Sequence, residues 1–215
     1  SDVVARISLL ESPLLQPGET AAAQVVAEED IVCLVDQRFV LRRYSPLETI
    51  AGGRVLFPYA AKPRGKSARQ ACIQRIRALS SLSSPEERLL ALIRSFSRIE
   101  LPDAALFIQE TPAETLRFGE RLEKNGDAVF LQGEKKLFLS RERFSSETRA
   151  VEEFLSSYHS SHPSRKGAPS DQIALQALKD LDPRASRAFL EALSENGTVV
   201  MDEGTVRMAD FTPRD

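Results

Sequence analysis

The sequence predicts a multi-domain β plus α/β chain: a small antiparallel β-barrel, then a linker helix, then two tandem winged helices. Three observations predict it. Residues 3–57 carry short runs of β-branched and aromatic residues separated by close turn signals. Residues 63–82 hold five Lys/Arg and no Asp/Glu, while the segments on either side are net acidic. From residue 83 onward one order of elements occurs twice: helix, short helix, helix ending in Asn-Gly, hairpin. The expected modules are residues 1–62, 63–82, 83–140 and 141–215.

The barrel strands are expected at 3–9, 23–27, 31–35, 38–44 and 49–57. Gln16-Pro17-Gly18-Glu19 reads as a turn between the first two. Pro46 sets another turn, and the paired Gly52 and Gly53 inside a β-branched run read as a bend or bulge that shapes the strand. Pro58, Pro63 and Gly65 close the module. Residues 67–79 then form an amphipathic helix with Ala68, Cys72, Ile76 and Leu79 on one face and Lys66, Arg69 and Arg77 off it.

In the first repeat, Ser84-Pro85 caps a helix reaching about Ser97, and a short helix follows at Pro102–Ile108. Thr111-Pro112 caps a third helix that stops at Asn125-Gly126, before a hairpin around Gln132-Gly133-Glu134. The second repeat has helices at 145–159 and 170–178. Its third helix runs from Asp182-Pro183 to Asn196-Gly197, and its hairpin turns at Asp202-Glu203-Gly204.

Composition narrows the function classes. Of 215 residues, 42% are hydrophobic and 28% charged, with a mean hydropathy of -0.25, which points to a soluble protein. No apolar run approaches the ~20 residues of a membrane span. Cys33 and Cys72 alone make no disulfide scaffold and fit a reducing cytoplasm. The chain opens without Met or leader, inside a strand-like pattern, and reads as a fragment. His159 and His162 could present two ligands on one helical turn, but zinc takes three or four, so a metal site is not expected. No nucleophile constellation accompanies the serine-rich stretches, so no catalytic residue is expected.

The run Arg38-Phe39-Val40-Leu41-Arg42, then Ser45-Pro46, then Thr49-Ile50-Ala51-Gly52-Gly53-Arg54-Val55-Leu56 resembles the last barrel of Tu-class elongation factors. With the Gln16-Pro17-Gly18-Glu19 turn, the basic helix and the paired winged helices ending in Phe211-Thr212-Pro213, the whole chain resembles part of the bacterial selenocysteine-specific elongation factors, the SelB family. Ala51 stands where the family usually has glycine, and Glu48 where relatives often carry a base.

The resemblance implies GTP-dependent delivery of selenocysteinyl-tRNA to the ribosome at UGA, with an mRNA hairpin read by later winged helices. It also implies a barrel strand preceding Val3, hence an incomplete barrel here with an uncovered edge. No Gly-x-x-x-x-Gly-Lys-Ser/Thr phosphate loop occurs, so GTP and magnesium are expected in a G domain outside this chain. This portion is not expected to be an enzyme, to hold a cofactor, or to contact a membrane.

Candidate RNA contacts are Arg42, Arg43, Arg54, Lys66, Arg69 and Arg77, since guanidinium and ammonium groups suit phosphate. Arg42 and Arg43 are adjacent in a strand, so only one can aim at a given surface. The alternatives are a DNA-binding regulator and a protein-interaction adaptor. A DNA reader wants a basic recognition helix, and residues 112–124 and 183–195 each sum to zero charge.

Overall fold

The computed structural model describes residues 2–134 and 136–213; the outer limits of the first and last expected modules lie outside them. The first module is built from two separate antiparallel hairpins. β1 (Ala5–Leu9) pairs with β2 (Ala23–Ala27), and β3 (Arg38–Arg43) pairs with β4 (Glu48–Arg54). The barrel is open: Val4, Ile7, Val26, Val40 and Ile50 are all exposed.

The strand expected at 31–35 does not form. Its residues lie in a loop with Val32 93% exposed. The reason is a tertiary contact: the Val35 amide donates to Gln109 Oε1 at 2.6 Å, and Gln109 Nε2 donates to the Cys33 carbonyl at 3.0 Å. A side chain from the first winged helix takes the backbone groups that a neighbouring strand would have used.

The glycine pair is not where β4 bends. The register slips between Leu41 and Arg42, leaving Ile50 unmatched, and neither glycine has a positive φ. Gly53 instead sits opposite Phe39, whose ring would come within 2.4 Å of a Cβ there.

The linker is α1 (Gly65–Ser80), which buries Cys72, Ile73 and Leu79. Cys72 and Ile73 pack with Leu10 and Ala22 of the β-domain, and Leu79 enters the core of the first winged helix. The helix therefore docks on two bodies, so Ile73 is buried and Ala68, expected on the apolar face, stays exposed.

The first winged helix runs α2 (Pro85–Phe96), β5 (Arg98–Glu100), α3 (Leu101–Ile108), α4 (Pro112–Lys124), β6 (Ala128–Leu131) and β7 (Leu137–Ser140). The second repeats the order as α5 (Arg141–Ser161), β8 (Ala168–Pro169), α6 (Ser170–Gln176), α7 (Pro183–Glu195), β9 (Val199–Asp202) and β10 (Thr205–Met208). Their sheets are ordered β5-β7-β6 and β8-β10-β9. The short strands β5 and β8 carry no run long enough to signal them in sequence.

Ser84, Thr111 and Asp182 accept backbone N–H bonds at the starts of α2, α4 and α7. The two Asn-Gly stops place Gly126 and Gly197 at φ of 77° and 78°, which only glycine enters without strain. Helix α5 begins four residues before the expected Ser145, because Ser140 ends β7 and caps α5 through the Arg143 amide.

The β6–β7 hairpin is buried on both faces. Ala128 and Phe138 belong to the first core, while Val129, Leu131, Leu137 and Leu139 belong to the second. The strand period of two thus divides one hairpin between two domains. Gly119 in α4 leaves room for Phe138, whose ring would lie 2.1 Å from a Cβ there. Arg98 donates to the Asp180 carbonyl, and Arg143 bonds Asp180 Oδ2 at 2.7 Å, tying β5 and α5 to the loop before α7. The two winged helices form one packed body.

Candidate nucleic-acid interface

The β3–β4 hairpin presents an outer face. Phe39 and Leu41 turn inward, and Arg38, Val40 and Arg42 are exposed. The Arg38 and Arg42 side chains make no hydrogen bond or ion pair with any described residue, and four strand steps separate them by about 13 Å. Gly52 lies opposite Val40 between them. A Cβ at Gly52 would touch only the Phe39 carbonyl, at an ordinary 3.4 Å. Gly53 is required by the ring beneath it, whereas no contact among the described residues requires Gly52. The result is a gap in the side-chain layer of β4 beside the exposed Val40, with a free guanidinium on β3 to either side of it.

The other expected cations divide sharply. Arg43 pairs with Glu48 across the hairpin end at 3.6 Å, so Glu48 neutralises the neighbour of Arg42. Arg54 turns to Asp36 at 3.1 Å and donates to the Ser80 carbonyl at 2.7 Å. Arg69 donates to the carbonyls of Leu10 and Leu9 at 2.7 and 2.9 Å. Arg77 pairs with Glu11 at 2.5 Å. These last two fasten α1 to the end of β1.

Lys66 stays exposed and unpaired among the described residues, with Lys62 and Arg64 beside it. Sequence reasoning passed over Arg38, Lys62 and Arg64; for Arg38, the i, i+4 spacing with Arg42 along β3 was the available signal. Arg75, the remaining basic residue of the connector, lies 3.8 Å over the Phe96 ring. Its burial pulls the guanidinium below its ordinary pKa.

Neither recognition helix offers a basic surface. On α4, Arg117 pairs with Glu114 and Arg121 with Glu86. On α7, Arg187 pairs with Glu191, and Ala185 and Phe189 are buried beside the first domain's hairpin. Gly133 in the first wing comes so close that a Cβ would lie 2.9 Å from Ala185. The wing of one domain covers the start of the other's recognition helix.

The two histidines do not converge. His159 is 7% exposed, accepts the Met208 amide on Nε2 at 3.2 Å and stacks on Phe211 at 3.7 Å. Burial, then the nearby Arg207, holds it below the usual imidazole pKa, with Asp210 opposing. His162 stacks instead on Tyr158. Among the described residues no three His, Cys, Asp or Glu side chains gather as metal ligands. No helix among them is long and apolar enough to cross a membrane.

Comparison with known proteins matches both ends of this architecture. Residues 1–62 match the family described as selenocysteine-specific elongation factor, beta-barrel domain. Residues 153–208 match elongation factor SelB, winged helix. A selenocysteine-specific elongation factor from Desulfomicrobium baculatum is 27% identical over 210 residues, spanning 96% of this chain and 32% of that protein. The chain thus spans about a third of that relative's length. A crystal structure of bacterial selenocysteine-specific elongation factor EF-Sec shares the fold, with a TM-score of 0.54 and 12% identity over 96% of this chain and 30% of that one. The mRNA-binding domain of elongation factor SelB from E. coli, solved with SECIS RNA, aligns at a TM-score of 0.46 and 8% identity over 60% of this chain and all of that one. Open barrel, linker helix and paired winged helices, matched at both ends and along 96% of the chain, make this chain a member of the SelB family of selenocysteine-specific elongation factors.

Proposed function

We propose that this chain supplies the tRNA-facing β-domain of a selenocysteine-specific elongation factor, together with the rigid arm that leads toward an mRNA-hairpin reader. The role is delivery of selenocysteinyl-tRNA to the ribosome at UGA codons in the cytoplasm. GTP and magnesium belong to the remainder of the factor, because the sequence has no phosphate loop.

One observation carries the reading: Gly52 is open where Gly53 is filled. The bare backbone at Gly52, beside Val40 and flanked by two unpaired arginines, lets a phosphodiester strand approach β4 and be gripped from both ends. The neutral recognition helices speak against a DNA regulator, since nonspecific affinity comes from displaced counterions.

Titration with tRNA tests it. Wild type should bind with a Kd of about 10⁻⁴–10⁻⁶ M at physiological salt, weakening as salt rises. Arg38→Glu with Arg42→Glu should weaken binding at least about tenfold and lower the salt slope by roughly two. Gly52→Val should weaken it without moving the melting temperature. Equal affinity in all three would overturn the assignment.

A further inference from the structure

The loop that replaces the expected strand at 31–35 holds a second device. Asp36 sits at a φ of 65°, and Gln109, facing it from the end of α3, at 58°. Two non-glycine residues in the left-handed region persist together only where their surroundings fix them. The Asp36 carboxylate holds its own turn, and Gln109 is the left-handed C-cap of α3, its backbone amide turned back to the Ala105 and Leu106 carbonyls. Asp36 Oδ2 accepts from Arg88 Nη2 at 2.7 Å, and its Oδ1 faces Arg54 at 3.1 Å. Arg88 is 4% exposed inside the first winged helix, and its other bond goes to the Leu82 carbonyl. Gln109 adds the two bonds that clasp Cys33 and Val35.

Beside this polar joint lies an apolar one. Phe57, just past β4, packs edge-on against Phe107 at 4.8 Å, and Tyr59 and Phe96 complete the cluster. The two joints differ in kind: the aromatic cluster is non-directional, whereas the Asp36 contact exists in one geometry and depends on charge. Displacing the carboxylate cuts the loop's charged tie to α2 and leaves the Gln109 clasp to hold Cys33 and Val35 alone, with Phe57 still anchoring the chain beyond β4.

We infer that Asp36 and Gln109 form a latch fixing the orientation of the β3–β4 hairpin on the winged-helix pair, with the Phe57 cluster as its hinge. Closed, the latch makes a ligand's pull on the β3–β4 hairpin act on the whole arm. Open, the hairpin turns about Phe57 while both winged helices remain folded. This inference stands on the joint's geometry and holds whatever the β-domain binds.

Amide hydrogen exchange on the 215-residue chain tests it, because the Val35 amide is spent across the joint. Asp36→Asn keeps the shape and tolerates the positive φ while removing the charge. Val35 should exchange at least about tenfold faster in that variant, with α2 and β6–β7 retaining wild-type protection, and small-angle scattering should show a larger radius of gyration. If protection in α2 is also lost, Gln109→Ala decides, since it leaves Arg88 paired. Val35 exchanging as a free loop amide in wild type, or unchanged in both variants, would overturn the latch.

Discussion

His159, one half of the H-x-x-H pair, serves packing. Its neutral ring accepts the Met208 amide and carries Phe211 on its face, so it fixes the segment that leaves β10. Because the folded pKa lies below the ordinary value of about 6.5, the folded form resists protonation. The stabilisation is fully present above that ordinary value and is lost as pH falls toward the depressed one. Thermal melts of wild type should therefore drop between pH 8 and pH 5.5. His159→Phe should melt lower at pH 8, by about 1–3 kcal/mol for the orphaned Met208 amide, and lose much of the pH dependence. An identical pH slope in the two proteins would contradict this role. The glycine pair was legible as unusual, but its cause was not: sequence shows that a Cβ is missing, not whether Phe39 fills the space or leaves it open.

Helices α2 and α4 were legible to within a residue or two because Ser84-Pro85, Thr111-Pro112 and Asn125-Gly126 are local signals with local causes. The strand at 31–35 was misread because its hydrogen-bond partner, Gln109, lies more than seventy residues away and belongs to another domain. The same limit applied to α1. Its charge count pointed to RNA, yet Arg69 and Arg77 face backbone carbonyls and Glu11, which only the fold brings near. Charge reversal at these positions consequently acts on stability. Arg69→Glu sets a carboxylate against the Leu9 and Leu10 carbonyls and should cost about 1–3 kcal/mol in a urea melt. Lys66→Glu, exposed and unpaired, should stay within about 0.5 kcal/mol of wild type. Arg69→Glu unfolding at the wild-type midpoint would contradict the docking role of α1.

Across the whole molecule, the shared β6–β7 hairpin packs the two winged helices into one body and covers the start of the second recognition helix. Val129, Leu131, Leu137 and Leu139 bind the second core, and the first wing then lies over the start of α7. The repeat itself was plain in the sequence; the sharing was visible only as the continuous apolar run Leu137–Leu139, which fits a strand covered on both faces. On the proposed function the chain divides its labour: free guanidinium groups and an open glycine position on the β-domain, and a neutral arm beyond it. Mapping amide shifts of the isotope-labelled chain by NMR as tRNA is added at low salt tests that division most directly. The account predicts shifts along β3 and β4, centred on Val40, Arg42 and Gly52, with α4 and α7 unmoved. Shifts concentrated on α4 or α7, with the β3–β4 hairpin silent, would contradict it.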